Sequence, residues 1–136
     1  MIVADTSGLL AYFNTLEPDH RVVADAIAAE RDPLIVSPFV VAELDYLIAS
    51  GVGTAAELAV LDELASGAYE LPAFDSVALR EAGSVMDRYR DQVIGVADAS
   101  LVVLAQRYAT RTILTLDHRH FDVLRPLSGG RFKVVP

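Results

Sequence analysis

The chain contains no cysteine. That removes disulfides, thiolate nucleophiles and zinc–sulfur sites, and it fits a reducing compartment. Lysine is nearly as scarce, with Lys133 standing alone beside ten arginines. Aspartyl-phosphate phosphatases and response regulators pair a strand-end aspartate with a lysine, and Lys133 is the sole residue here that could serve. The D-x-D of the phosphatases is missing too, because Thr6 and Ser7 follow Asp5. No G-x-x-x-x-G-K-[ST] loop is present to cradle a nucleotide, and no G-x-S-x-G elbow to carry a serine nucleophile. Nowhere does an apolar run approach the roughly 18–20 residues needed to span a bilayer. No basic leader with an apolar core of signal-peptide length precedes the first apolar residues. The expectation is a soluble, cytoplasmic protein that does not meet a membrane.

What remains is 136 residues with 53% hydrophobic content, enough for one domain over residues 1–136 with a core of its own. The net charge of −8 argues against a nucleic-acid partner, but it is unevenly spread. Residues 107–136 carry +4 and residues 1–106 carry −12. The basic C-terminal segment could meet a polyanion, or its arginines could be scattered and solvated.

Short apolar runs alternate with amphipathic stretches. Strands are expected over residues 1–5, 34–36, 69–74, 112–116 and 132–135, with Pro72 weakening the third. Helices are expected from Thr6 to about Asn14, Pro18 to about Glu30, with Val22, Val23, Ala26 and Ile27 on one face, and Pro38 to about Ser50. Others should run from a Thr54 cap with Leu58, Leu61, Leu64 and Ala65 inward, from Asp75 or Ser76, and from about Ala97 to Tyr108. Unalternated apolar strands separated by helices indicate an α/β fold: a central parallel sheet of four to five short strands with helices on both faces. Such sheets bind ligands outside the carboxyl ends of their strands, where the winding reverses.

Four carboxylates sit where apolar neighbours make them costly. Asp5 ends Met1-Ile2-Val3-Ala4. Glu43 lies within Phe39-Val40-Val41-Ala42-Glu43-Leu44. Asp98 shares a helical stripe with Leu101, Val102 and Ala105. Asp117 ends Thr112-Ile113-Leu114-Thr115-Leu116. Asp5 and Asp98 could each be a helix cap and Asp117 a turn acid, whereas Glu43, flanked by Phe39, Val40, Tyr46 and Leu47, is harder to explain structurally. Permanent cations are few near these segments, so a divalent metal with hard oxygen ligands is the natural partner. His118-x-His120 is compact enough to mimic a metal pair, but with His20 these histidines read rather as exposed loop residues or as substrate contacts near Asp117.

These segments resemble the PIN-domain nucleases, in particular the VapC-type toxins of bacterial toxin–antitoxin pairs. Ile2-Val3-Ala4-Asp5-Thr6-Ser7 is similar to the family's opening strand, and Ser37-Pro38-Phe39-Val40-Val41-Ala42-Glu43-Leu44 to its second acidic segment. Val96-Ala97-Asp98-Ala99-Ser100-Leu101 resembles the third, and Leu114-Thr115-Leu116-Asp117-His118-Arg119-His120-Phe121 the fourth. The resemblance implies a Mg2+-dependent endoribonuclease (Mn2+ also serving) that cuts structured RNA of the tRNA or rRNA class and inhibits translation. It implies a PIN-like fold, a homodimer and a cognate antitoxin. By position, Asp5, Glu43, Asp98 and Asp117 would be catalytic, with Asp5 and Asp98 the principal metal ligands. Thr6, Ser7, Ser100 and Thr115 would support them by hydrogen bonds, and Arg107 and Arg119 are candidates for contacting RNA. Two other readings stand beside this one: an acidic binding module that captures a basic segment of a partner, and a nuclease directed at DNA.

Overall fold

The computed structural model describes residues 1–136. Five strands form one parallel sheet: β1 (Val3–Ala4), β2 (Leu34–Val36), β3 (Tyr69–Glu70), β4 (Thr112–Leu114) and β5 (Lys133–Val135), in the order β3-β2-β1-β4-β5. Val3 pairs with Ile35 on one side and Ile113 on the other. Every residue of β1 and β2 is buried. Successive strand side chains point to opposite faces, so both faces of the sheet are covered. The third strand ends at Glu70, short of the expected 74, because Pro72 has no N–H for the ladder.

Seven helices surround the sheet: α1 (Thr6–Phe13), α2 (His20–Ala28), α3 (Pro38–Gly51), α4 (Thr54–Leu64), α5 (Ser76–Arg88), α6 (Val96–Arg107) and α7 (His118–Phe121). α1 packs on α2 and α3, α3 on α4, and α5 on α6, while α6 also meets β1 and α3. Pro38 occupies the first turn of α3 behind a Ser37 cap, where its missing N–H costs nothing. Asp75 caps α5 through a bond from Ala78 N.

Three helices depart from expectation. Gly53, at φ +131°, is the N-cap of α4, so Thr54 is its first residue and not its cap. Leu58 faces solvent at 61% exposure, and Ala56, Val60 and Leu64 make the inner contacts. The apolar residues of α4 outnumber the positions its single packed face can cover. Val22 of α2 is exposed for the same reason, beside the buried Val23. The short α7 was not expected at all, since four residues carry no periodicity.

Winding proceeds from β1 through β2 to β3, then returns to the other side of β1 for β4 and β5. The reversal lies between β1 and β4. The crevice at their carboxyl ends is therefore the place where this topology builds a site.

Candidate active site

Asp5 immediately follows β1, and its backbone N–H donates to Leu114 O of β4 at 2.9 Å. It occupies the N-cap position of α1 but makes no side-chain cap bond. Its carboxylate turns to β4 instead. The Thr115 hydroxyl donates to Asp5 Oδ2 at 2.7 Å and the Ser7 hydroxyl to the same oxygen at 3.0 Å. Each hydroxyl has one proton, so both are spent on this carboxylate. The hydroxyl oxygens in turn accept Leu116 N (Ser7) and Asp117 N (Thr115). Asp5 is 7% exposed, and Oδ1 receives no protein donor.

Asp98 lies in the first turn of α6, whose Gly95 cap has no side chain to offer. Its Oδ2 meets His120 Nδ1 at 2.8 Å. Burial pushes its carboxyl above the usual range. His120 pulls it down, and Asp5, Glu43 and Asp117 push it up again. Asp117 behaves oppositely: Arg119 bonds it and holds its carboxyl below the usual range. It also caps α7 through Arg119 N at 3.2 Å, so its turn role and its place beside the other acids coexist.

Glu43 corrects the sequence reading. It is not set against the core; the buried stripe of α3 is Val40, Leu44 and Ile48, and Glu43 is exposed beside it. Tyr46, one of its presumed apolar neighbours, is 70% exposed. Glu43 opens into the same cleft as Asp5, Asp98, Asp117 and His120, a cavity of about 500 Å³.

The supporting residues divide. Ser7 and Thr115 hold Asp5. Thr6 lines the cleft with its hydroxyl oxygen buried and without a partner. Ser100 touches none of the acids. It donates to Ala97 O at 2.6 Å and meets Ser37 Oγ at 2.7 Å, with both serines fully buried. Because Ser37 caps α3, this contact ties the helix carrying Glu43 to the helix carrying Asp98. Ser37 was not anticipated; a serine before proline at a helix start was its only signal.

The arginines correct the charge argument. Arg107 lies nine residues beyond Asp98, roughly 13 Å along α6, and faces Glu81 and Asp75 at 3.7 and 4.0 Å. It does not reach the cleft. Arg111, Arg131 and Lys133 stand at the amino ends of β4 and β5, opposite the carboxyl rim. Arg119 does not line the cleft either, but it is 86% exposed and pairs with Asp117, which does. Positive charge gathered along the sequence is thus dispersed in space.

The donor set suits a hard divalent ion. No three of the acids and histidines stand as a ready-made cage. Magnesium needs none, since one or two carboxylates and several waters commonly hold it. Asp5 and Asp98 each have one oxygen engaged and one without a protein donor. The orphaned Thr6 hydroxyl and the mutual repulsion felt at Asp98 both describe a cleft short of positive charge and polar partners.

The sequence pattern of the PIN domain matches residues 2–125. The chain belongs to the PIN-domain family. It is 58% identical over 135 residues, 99% of its length and all of the relative's, to a protein of Mycobacterium tuberculosis called Ribonuclease VapC26. The PIN fold extends to solved structures. VapC20 of the same organism, described as a sarcin–ricin loop cleaving toxin, superposes with a TM-score of 0.85 at 18% identity over the full length of both chains. A toxin–antitoxin complex from Klebsiella pneumoniae superposes at 0.72 and 15% identity, covering all of this chain and 97% of that one. At such identities these structures establish the PIN fold alone.

The hydroxyl anchors of this PIN domain can be tested directly. Thr115→Val keeps the side chain's shape but removes the donor to Asp5 and the acceptor for Asp117 N. A hydrogen bond to a charged group contributes about 1.5–3 kcal/mol. A loss of that size should appear as a lower denaturant midpoint with unchanged slope.

Proposed function

We propose that the chain is a Mg2+-dependent endoribonuclease, the toxin of a toxin–antitoxin pair, which cuts structured RNA and so inhibits translation. Its ribonuclease character rests on the 58% identity that runs the length of the chain. The observation that carries the chemistry is the single cleft lined by Asp5, Glu43, Asp98 and Asp117 at the reversal point of the sheet. Asp5 and Asp98 would hold the ion, with Glu43 and Asp117 completing the acidic wall and orienting water. A divalent ion there supplies activation of water and neutralisation of phosphate charge. Cleavage leaves a 5′-phosphate and a 3′-hydroxyl. Arg119, exposed and paired with the cleft residue Asp117, is the cation best placed to meet the RNA backbone; Arg107 is not.

The proposed partners besides RNA are a cognate antitoxin and a second copy of the chain. An apolar groove of about 450 Å³ adjoins the cleft and shares Ser7, Leu10 and Leu47 with it. Phe13, Ile48, Val52 and Val60 extend it, and Val52 is 77% exposed. An antitoxin segment lying there would cover both the groove and the acids. No helix is long and apolar enough to cross a membrane, and we read the protein as cytoplasmic, with residues 1–136 forming one domain.

Purified protein with Mg2+ should cleave RNA but leave DNA of identical sequence intact. EDTA or Asp5→Ala should reduce cleavage to background, as resolved by gel electrophoresis. Cutting that survives both would refute metal-dependent hydrolysis at this site. No cutting under any condition, with the antitoxin removed, would favour the acidic binding module.

A further inference from the structure

We infer that His120 is a positioning residue: its Nδ1–H anchors Asp98 Oδ2 so that the other carboxylate oxygen is presented to the metal. This deepens the proposed reading and rests on it. The four carboxylates are restrained very differently. Two hydroxyls hold Asp5, a guanidinium and a backbone N–H hold Asp117, and Glu43 has no side-chain bond. Asp98 has His120 alone, at 2.8 Å. A carboxylate has no proton to give, so the imidazole donates, which fixes the proton on Nδ1.

His120 is itself well placed to act as an anchor. Its backbone oxygen accepts Leu124 N at 2.8 Å and Val123 N at 3.1 Å. The next residue, Phe121, is buried and packs edge-on against Phe132 with ring centroids 6.0 Å apart. Imidazole and carboxylate are both mostly shielded, at 32% and 18% exposure, so water competes weakly for their bond. The result parallels Asp5, whose Oδ2 is likewise engaged while Oδ1 is left without a protein donor. Hydrogen-bonding partners of metal ligands typically account for about 10–100-fold in metal affinity.

The test compares wild type with His120→Ala, His120→Asn and His120→Gln. Mn2+ affinity is read by titration calorimetry, and RNA cleavage is followed across Mn2+ concentrations. An asparagine amide can place an N–H where Nδ1 stands; the longer glutamine reaches toward the Nε2 position. His120→Ala should weaken Mn2+ binding about 10–100-fold. His120→Asn should recover most of the affinity and His120→Gln little, with cleavage by all three approaching wild type at saturating Mn2+. Wild-type affinity in His120→Ala would overturn the assignment. Equal losses in all three variants would also overturn it, because the Asn amide would then fail to replace the Nδ1 donor; recovery by His120→Gln rather than His120→Asn would point to side-chain volume. A cleavage rate that stays low at saturating Mn2+ would mean that His120 contacts RNA instead. Wild type that cleaves RNA without binding Mn2+ would overturn the inference and the metal reading together. A drop in affinity alone, with wild-type cleavage independent of metal, would overturn the metal reading.

Discussion

Asp98→Asn should lower RNA cleavage by about three orders of magnitude and raise the melting temperature of the metal-free protein. The activity loss follows from the metal's share of transition-state stabilisation, several kcal/mol, at about 1.4 kcal/mol per tenfold in rate. Asparagine keeps an oxygen that can accept from His120 Nδ1, so the local fold is retained. The stability gain follows from the direction of the Asp98 titration. Burial, reinforced by Asp5, Glu43 and Asp117 and opposed by His120, raises its native pKa above the usual carboxylate value. The native state then binds its proton more tightly than the unfolded chain does. This group's contribution is greatest below the unfolded value and is lost as pH rises through the native one. At neutral pH the ionised Asp98 therefore opposes folding, and the amide relieves it. Melting in EDTA across that acidic window should show the variant's advantage shrinking as pH falls. A variant that melts well below wild type at neutral pH would mean that Asp98 serves chiefly as a structural cap.

Gly8→Val should destabilise the protein by about 3 kcal/mol, the upper part of the range for overpacking a dense interior. For a chain of this size that is a drop of about 10 °C in melting temperature. A Cβ on Gly8 would lie 2.8 Å from Leu114 Cγ, 3.1 Å from its Cδ2 and 3.0 Å from its carbonyl oxygen. The side chain can turn, but the carbonyl cannot move freely because it accepts Asp5 N. Relieving the clash pushes α1 from β4 and separates Asp5 and Ser7 from Thr115. Cleavage should fall even where the variant remains folded, with circular dichroism as the control. Gly8→Ala should cost less, since alanine regains about 1 kcal/mol of helix propensity. Wild-type stability in Gly8→Val would show that α1 tolerates displacement.

The strand-end acids were legible because burial and charge conflict in one dimension as they do in three. Asp5 and Asp117 follow apolar runs, and the reversal rule puts such ends on one rim. Glu43 was singled out, as a residue that lines the cleft, for a mistaken reason. Its neighbours in sequence are apolar, yet α3 turns Tyr46 and Glu43 away from the core. Ser100 was assigned to the acids, but it joins Ser37. Hydroxyls bond whatever lies nearest, and proximity between residues 37 and 100 is a property of packing.

Period and punctuation in the sequence determined the order of strands and helices, the parallel sheet and the acids placed against apolar neighbours. These follow from local backbone preferences and from the cost of burying charge, which residues carry with them. Tertiary structure alone decided which oxygen of each carboxylate is anchored, that His120 reaches Asp98, and that Arg107, Arg111, Arg131 and Lys133 stand away from the cleft. Linear charge says nothing of the end of a strand or helix on which a side chain emerges. A parallel sheet sends its amino and carboxyl ends to opposite sides, so arginines and acids close in sequence are parted by the thickness of the fold.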